Sequence, residues 1–273
     1  DAILVRPSTD ARLEEYARKF FEKRKRKGIT VANAETLMKQ PMYFGAMMVE
    51  QGHADGLIGG AVHSYPDTIK PALHCIGAAK GKTLAGIYMI VTKKKTFWFA
   101  DTTINVEPTA EQLADIAVAT ADLVRTSTGV EPRVAMLSFS NFGSNDHPAT
   151  FASRDAVRIL RERNPELIVD GEMQADTALR SDISAESFPF NQVPGDANIL
   201  IFPNLHAANI GYKLVWRMGG VEAIGPILVG MNKPVCALQR GSDVNDIVNM
   251  ASITAFEVYN SMTNRMPTGE RKS

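Results

Sequence analysis

The chain has 273 residues, 45% of them hydrophobic and 22% charged, with 30 basic residues balancing 30 acidic ones. That length makes one large domain or two modest ones, and the charge balance excludes a bulk field suited to nucleic acid or an anionic membrane. The two cysteines, Cys75 and Cys236, lie far apart and outside any CxxC or Cys/His cluster, so a zinc site has no support and a reduced, cytoplasmic setting is expected.

The opening DAILVRP reads as the tail of a strand, as if cut from something longer. From Asp10 to Lys27, Leu13, Tyr16, Ala17, Phe20 and Phe21 recur at helical spacing, and Gly28 stops the helix. The charge run EKRKRK falls on its solvated end. Thr30 to Gln51 reads as a second helical stretch, ADGLIGGAV as a short buried strand, HSYPDTIKP as a loop, and Ala72 to Ala79 as helical. LAGIYMIVT and KTFWFAD are β-type runs separated by KKK, a hairpin or neighbouring strands. Glu111 to Arg125 is an amphipathic helix after a Pro-Thr start. Strand RVAMLSFS, a helix from Thr150 to Arg163, strands LIVDGEM and ANILIFP, and a helix from Ala207 to Gly219 follow. GPILVG, KPVCAL and a helix from Ser242 to about Met262 close the chain. No apolar run reaches membrane-spanning length, and the N-terminus lacks a signal-peptide layout. The alternation predicts an α/β fold of two lobes, each with a mainly parallel sheet. Ligands of such folds sit at the carboxyl ends of strands.

The loops there carry the chemistry. SFSNFGS offers hydroxyls and backbone N–H groups that suit a phosphate, or it is a plain polar turn; it lacks the P-loop pattern. His63, Ser64, Asp67 and Lys70 are turn formers more readily than a triad, since no GxSxG presents the serine. His206 reads as a helix-start histidine. Asp170, Glu172 and Asp176 allow a metal cluster by residue type, but their spacing does not establish one. In QRGSDVND, Ser242 reads as the N-cap with Asp243 and Asp246 in the first turn. Arg240 beside free N–H groups also makes an anion site, and Asp246 one turn on is a candidate base. An ordinary aspartate pKa, about 3.9, is far below a thiol's, about 8.5, so such a base needs partial burial.

At these loops the sequence resembles the phosphate acetyl/butyryltransferase (phosphotransacetylase) family. KGIT, HADG, HSYPDTIKPA, VAMLSFSNFGS, DGEMQAD, IFPNLHAANI, EAIGPILVGMNKPV and RGSDVNDIV occur in the family's order along essentially the whole chain. INVEPTAEQLADIA, LSFSNFGS and DIVNMASI look most like the C-terminal phosphotransacetylase-like domain of hybrid NADP-dependent malic enzymes. The resemblance implies two α/β/α lobes of the isocitrate/isopropylmalate dehydrogenase kind with a cleft between them. Residues 1–122 and 228–273 would build the first lobe, its N-terminal unit truncated, and 123–227 the second.

Carried onto this chain, the family's base is Asp246 and a phosphate-binding arginine is Arg240. Lys70, Ser138, Ser140, Asn141, Ser144, Asn209, Gln239 and Gly241 complete the implied acetyl-CoA and phosphate contacts. Several positions depart from the family pattern. Gln239 replaces a serine, Lys70 an arginine and Phe139 a tyrosine, and the family's PDLN is Pro203, Asn204, Leu205, His206. These changes favour sensing over catalysis. The expected role is therefore an acetyl-CoA-binding regulatory and oligomerisation domain, at least dimeric, of a malic enzyme whose upstream domain holds NADP and a divalent metal. No cofactor or metal is expected in this chain. The alternative is an active phosphate acetyltransferase using Asp246 and Arg240.

Overall fold

The computed structural model describes residues 2–263. Two compact units emerge, Asp1–Lys80 with Met231–Ser273 and Gly81–Gly230.

The first unit opens without a strand: residues 2–6 have no regular structure, and a 3-10 turn spans Pro7–Thr9. Helix α1 (Leu13–Arg24) buries Tyr16, Ala17 and Phe20 and passes into a 3-10 turn that ends at left-handed Gly28. The single helix expected over 30–51 is two, α2 (Val31–Met38) and α3 (Pro41–Glu50). Pro41 is the cause. It lacks an N–H, and the residue before a proline is held out of helical space, so Gln40 is extended and α3 starts afresh. Strand β1 (Leu57–Gly59) follows. HSYPDTIKP is not a loop but the start of α4 (Tyr65–Cys75), capped by the Ser64 hydroxyl, with Pro66 in the first turn, where its missing N–H costs nothing. Tyr16, Phe20, Phe44, Met38, Met47 and Ile76 fill this unit's core.

The second unit begins with β2 (Ala85–Val91) and β3 (Thr96–Ala100), an antiparallel hairpin turned at the lysine run. Helix α5 (Ala110–Thr128) has a full capping box, Thr109 with Gln112; the lobe boundary expected between 122 and 123 falls inside it. Then come β4 (Arg133–Leu137), α6 (Pro148–Arg163), β5 (Ile168–Met173), the short α7 (Ala175–Leu179) and α8 (Ser181–Ser187), β6 (Ile199–Ile201), α9 (Leu205–Gly219) and β7 (Glu222–Val229). Within this unit the strand order is β7-β2-β3-β6-β4-β5. β3, β6, β4 and β5 run parallel, while β2 is antiparallel to both β3 and β7. The sheet is therefore mixed rather than mainly parallel, because a tight hairpin reverses the chain and a helical crossover does not. Tyr88 and Tyr212 stack in its core with ring centroids 4.1 Å apart.

The chain returns to the first unit with β8 (Val235–Ala237), parallel to β1, and α10 (Val244–Thr263). Where the two strands end, Gly60 (φ +125°) lies against Leu238, and a Cβ there would sit 2.0 Å from the Leu238 carbonyl oxygen. Only glycine permits that approach. None of the described helices is long and apolar enough to cross a membrane.

Glu257 on α10 has its Oε2 shut away from solvent without a partner among the described residues. Burial pushes its carboxyl up to about 7. The folded state thus holds that proton more tightly than the unfolded chain, and stability falls as pH rises from the ordinary glutamate range through 7. Glu257→Gln removes the titration. Urea unfolding between pH 5 and 8 should show the variant gaining on the wild type by about 3 kcal/mol at the upper end; parallel pH profiles would contradict this.

Candidate functional site

The expected site residues fall into two groups, one on each unit. In the first unit, β1 and β8 are parallel neighbours, so their carboxyl ends lie together, and each is followed by a helix start: α4 after β1 and α10 after β8. Residues 239–242 form a turn closed by the Ser242 N–H to the Gln239 carbonyl, 3.1 Å, with Gly241 left-handed (φ +83°). Arg240 is exposed at the tip of that turn. Ser242 is not the cap. Asp243 is: its Oδ1 accepts the Asp246 N–H at 2.9 Å, while Asp246 Oδ2 accepts the Asp243 N–H at 3.0 Å. This reciprocal box fixes the Asp246 carboxylate at the helix start, where the dipole favours negative charge.

Ser64 caps α4 and donates to the Asp67 carboxylate. His63 Nδ1 is 3.4 Å from the Gly60 carbonyl oxygen. Histidine and serine thus serve different partners and make no triad. Lys70 is exposed on α4.

In the second unit SFSNFGS follows β4 beside the end of β5, and it is built around one buried acid. Glu172 is fully buried. Its Oε1 accepts the Gly143 N–H at 2.8 Å and the Ser140 hydroxyl at 3.1 Å, and the Arg154 guanidinium grips both its oxygens at 3.1 and 3.3 Å. Its carbonyl takes the N–H of Phe142 (2.7 Å), a left-handed residue (φ +47°). Burial alone would raise the Glu172 carboxyl; the bonds from Arg154, Gly143 and Ser140 outweigh it and hold it below the ordinary value. The other N–H groups are spent locally. Ser140 donates to Ser138 Oγ (3.3 Å), Asn141 to Ser144 Oγ (3.0 Å), Ser144 to the Asn141 carbonyl (2.9 Å) and Asn145 to Ser140 Oγ (3.1 Å). Asn141 Oδ1 accepts the Gln174 N–H at 2.8 Å. The loop is thus no open cradle of N–H groups, since residues 140–145 have each found an internal acceptor.

Asn209 donates to the Thr102 carbonyl at 3.1 Å and accepts from Lys213 at 2.7 Å. His206 is exposed, and the α9 cap is Asn204, whose Oδ1 accepts the Ala207 N–H at 2.9 Å. Asp170 and Glu172 do not meet to hold a metal: Asp170 pairs with Arg161 at 2.5 Å and Glu172 with Arg154. No group of three or more His, Cys, Asp or Glu among the described residues could hold one.

Sequence reasoning missed three residues that shape these loops. Arg154 and Arg161 are seven apart on α6, hence on one face, and Asp170 and Glu172 alternate on β5, so the spacing held a signal. Asp101, at the end of β3, is buried; its Oδ1 accepts the N–H groups of Gly86 and Thr103 at 2.9 and 3.0 Å, and its Oδ2 that of Asn105 at 2.6 Å.

Polar loops at the carboxyl ends of parallel strands are where α/β enzymes bind their ligands. The sequence pattern of the phosphate acetyl/butaryl transferase family matches residues 2–255, and the chain belongs to that family. It is 41% identical over 263 residues to the phosphate acetyltransferase of Clostridium acetobutylicum, covering 94% of this chain and 79% of that protein. With the Corynebacterium glutamicum phosphate acetyltransferase it shares 44% over 257 residues, covering 94% and 78%. The crystal structure of a phosphotransacetylase from Streptococcus pyogenes superposes with a TM-score of 0.90 at 40% identity, covering 95% of this chain and 79% of that one.

These relatives overturn the expected regulatory role. Their names are those of phosphate acetyltransferases, the matches run nearly the full length of this chain, and nothing in them points to a malic enzyme, NADP or oxidoreductase chemistry. One of the departures that had favoured sensing, Phe139, leaves the loop's bonding intact: its carbonyl takes a bond from Gln174 Nε2 at 2.7 Å, and the residue is 53% exposed.

The cap assignment is testable in denaturant. Asp243→Ala should cost about 1 kcal/mol of the first unit's stability, whereas Ser242→Ala should stay within about 0.5 kcal/mol, as a surface change does. The reverse order would restore Ser242 as the cap.

Proposed function

We propose that the chain is a phosphate acetyltransferase, exchanging acetyl between CoA and phosphate. The observation that carries this is the start of α10, where exposed Arg240 lies on the turn before the Asp243 cap and Asp246 is held in the first turn. The relatives' names supply the substrates; the residues supply the roles.

A phosphate oxygen attacks the thioester carbonyl carbon, the C–S bond breaks, and the proton that phosphate gives up ends on sulfur. In reverse, the Asp246 carboxylate takes the thiol proton as sulfur attacks the carbonyl carbon of acetyl phosphate, the C–O bond breaks, and the proton passes to the departing phosphate. Arg240 binds phosphate with a planar, charge-assisted fork, helped by the N-terminal dipole of α10. Lys70, Gln239 and Gly241 line the same end of the first unit and contribute to anion binding. Ser138, Ser140, Asn141 and Ser144 act mainly by shaping their own loop, and Asn209 by tying α9 to the Thr102 carbonyl, since their polar atoms are engaged there.

Asp246 works as a base concerted with attack, so no free thiolate forms beforehand. No oxidation state changes, so the reading calls for no redox cofactor. It includes a cytoplasmic setting and a homo-oligomer, at least a dimer.

The test is phosphate-dependent release of free thiol from acetyl-CoA. Asp246→Asn should lower kcat by about 10²- to 10⁴-fold with little change in melting, because the amide oxygen still accepts the Asp243 N–H. Arg240→Ala should raise the KM for phosphate more than that for acetyl-CoA. A rate for Asp246→Asn equal to the wild type removes Asp246 as the base.

A further inference from the structure

The basic run that closes α1 divides once it is folded. Lys23 pairs with Glu50 at 2.5 Å and donates to the Cys75 carbonyl, and Lys25 pairs with Glu22 at 2.5 Å. Arg24 is different: its Nε is shut away from solvent with no partner among the described residues. Lys27 is exposed and forms no ion pair among the described residues. A helix C-terminus favours cations, which accounts for the charges of the run. It does not account for Arg24, because a dipole supplies no acceptor and a buried donor left unpaired is unfavourable.

Two helix faces bring further groups there. Phe20 and Arg24 are four apart on α1, hence on one face, and Phe20 packs edge-on against Tyr43 of α3 with ring centroids 5.6 Å apart. Lys70 and His74 are likewise four apart on α4, and His74 Nδ1 lies 3.1 Å from the Tyr43 hydroxyl oxygen. Tyr43 thus touches both faces. Burial, then the charges of Arg24, Lys70 and Lys27, hold the His74 imidazolium below its ordinary pKa, so the ring is neutral near pH 7. The neighbouring acids are committed, Glu50 to Lys23 and Asp67 to the Ser64 hydroxyl.

We propose that Arg24, Lys27 and His74 form a binding site for a phosphate-class anion, built on the ends of α1 and α4. With the Tyr43 hydroxyl donating to Nδ1, the neutral His74 ring carries its proton on Nε2 and offers it as a donor. Arg24 supplies a charge-assisted fork and Lys27 a point charge. A tetrahedral oxyanion has acceptors for donors from several directions; chloride has charge alone. His74 is in the last turn of α4, about 14 Å along the helix from its start after β1. The inference is independent of the transacetylation reading, and it is read by binding rather than by turnover.

The experiment titrates the full chain with inorganic phosphate at fixed ionic strength, in an Arg240→Ala background that removes the anion contact proposed at α10. The rise in melting temperature gives Kd by linkage. Adding Arg24→Gln should weaken phosphate binding by about 10- to 100-fold. Without phosphate that variant should melt no lower than its parent, because it removes an unpaired charge and strands no acceptor. Lys27→Gln, an exposed change, should weaken binding about 2- to 5-fold, and it decides if Arg24→Gln does not fold. A parent with no phosphate-dependent rise overturns the proposal, as do variants that bind as the parent does. So does an Arg24→Gln variant that melts lower without phosphate, the mark of a purely structural arginine. Adenosine 5′-monophosphate, with adenosine as its control, separates the two sources of such an anion. An Arg24-dependent rise larger than that with inorganic phosphate supports a site for a phosphate monoester, and a smaller one supports a site for the free ion. Absence of phosphate-dependent turnover removes the transacetylation reading and leaves this inference standing.

Discussion

A carboxylate taken out of water costs several kcal/mol unless donors replace its hydration, and Glu172 meets that demand with a guanidinium, a hydroxyl and a backbone N–H. Those donors come from different elements, so satisfying one acid ties α6 to β5 and closes the loop after β4. Asp101 does the same at the end of β3, gathering N–H groups from β2 and from the residues that follow it. Parallel strands end with their backbone groups unpaired, and in the second unit two buried acids organise much of what lies beyond those ends.

Polarity therefore means different things in the two units. In SFSNFGS the serines, the asparagine and the amides look outward in composition but are turned inward in bonding. In QRGSDVND the cap consumes only the aspartates and two N–H groups, while Arg240 stays exposed. The cap's bonds leave the Arg240 guanidinium out of them.

How much was legible follows from the range of each interaction. Gly28 as a stop, the Thr109–Gln112 box and the lysine-run hairpin are local, and the sequence displays them. Pro41 was equally visible, but apolar periodicity on both sides masked it. HSYPDTIKP carries turn-forming residues, yet Pro66 sits in a first turn, where proline favours a helix. The mixed character of the sheet was out of reach, since strand direction depends on partners distant in sequence. The same holds for Glu172. Its spacing from Asp170 and the matching spacing of Arg154 and Arg161 are in the sequence, but only the packing of α6 on β5 turns two patterns into two ion pairs.

The misjudged role has a related cause. Gln239, Lys70 and Phe139 depart from a family pattern, and each was weighed as a lost catalytic group. A replacement weakens a site only through the atoms it removes and where those atoms point. At Phe139 the loop's bonding runs through the main chain and through Ser140, so the ring can change without disturbing it. Lys70 keeps the charge of the arginine it stands for and loses its planar fork, so what position 70 gives up is geometry and not charge.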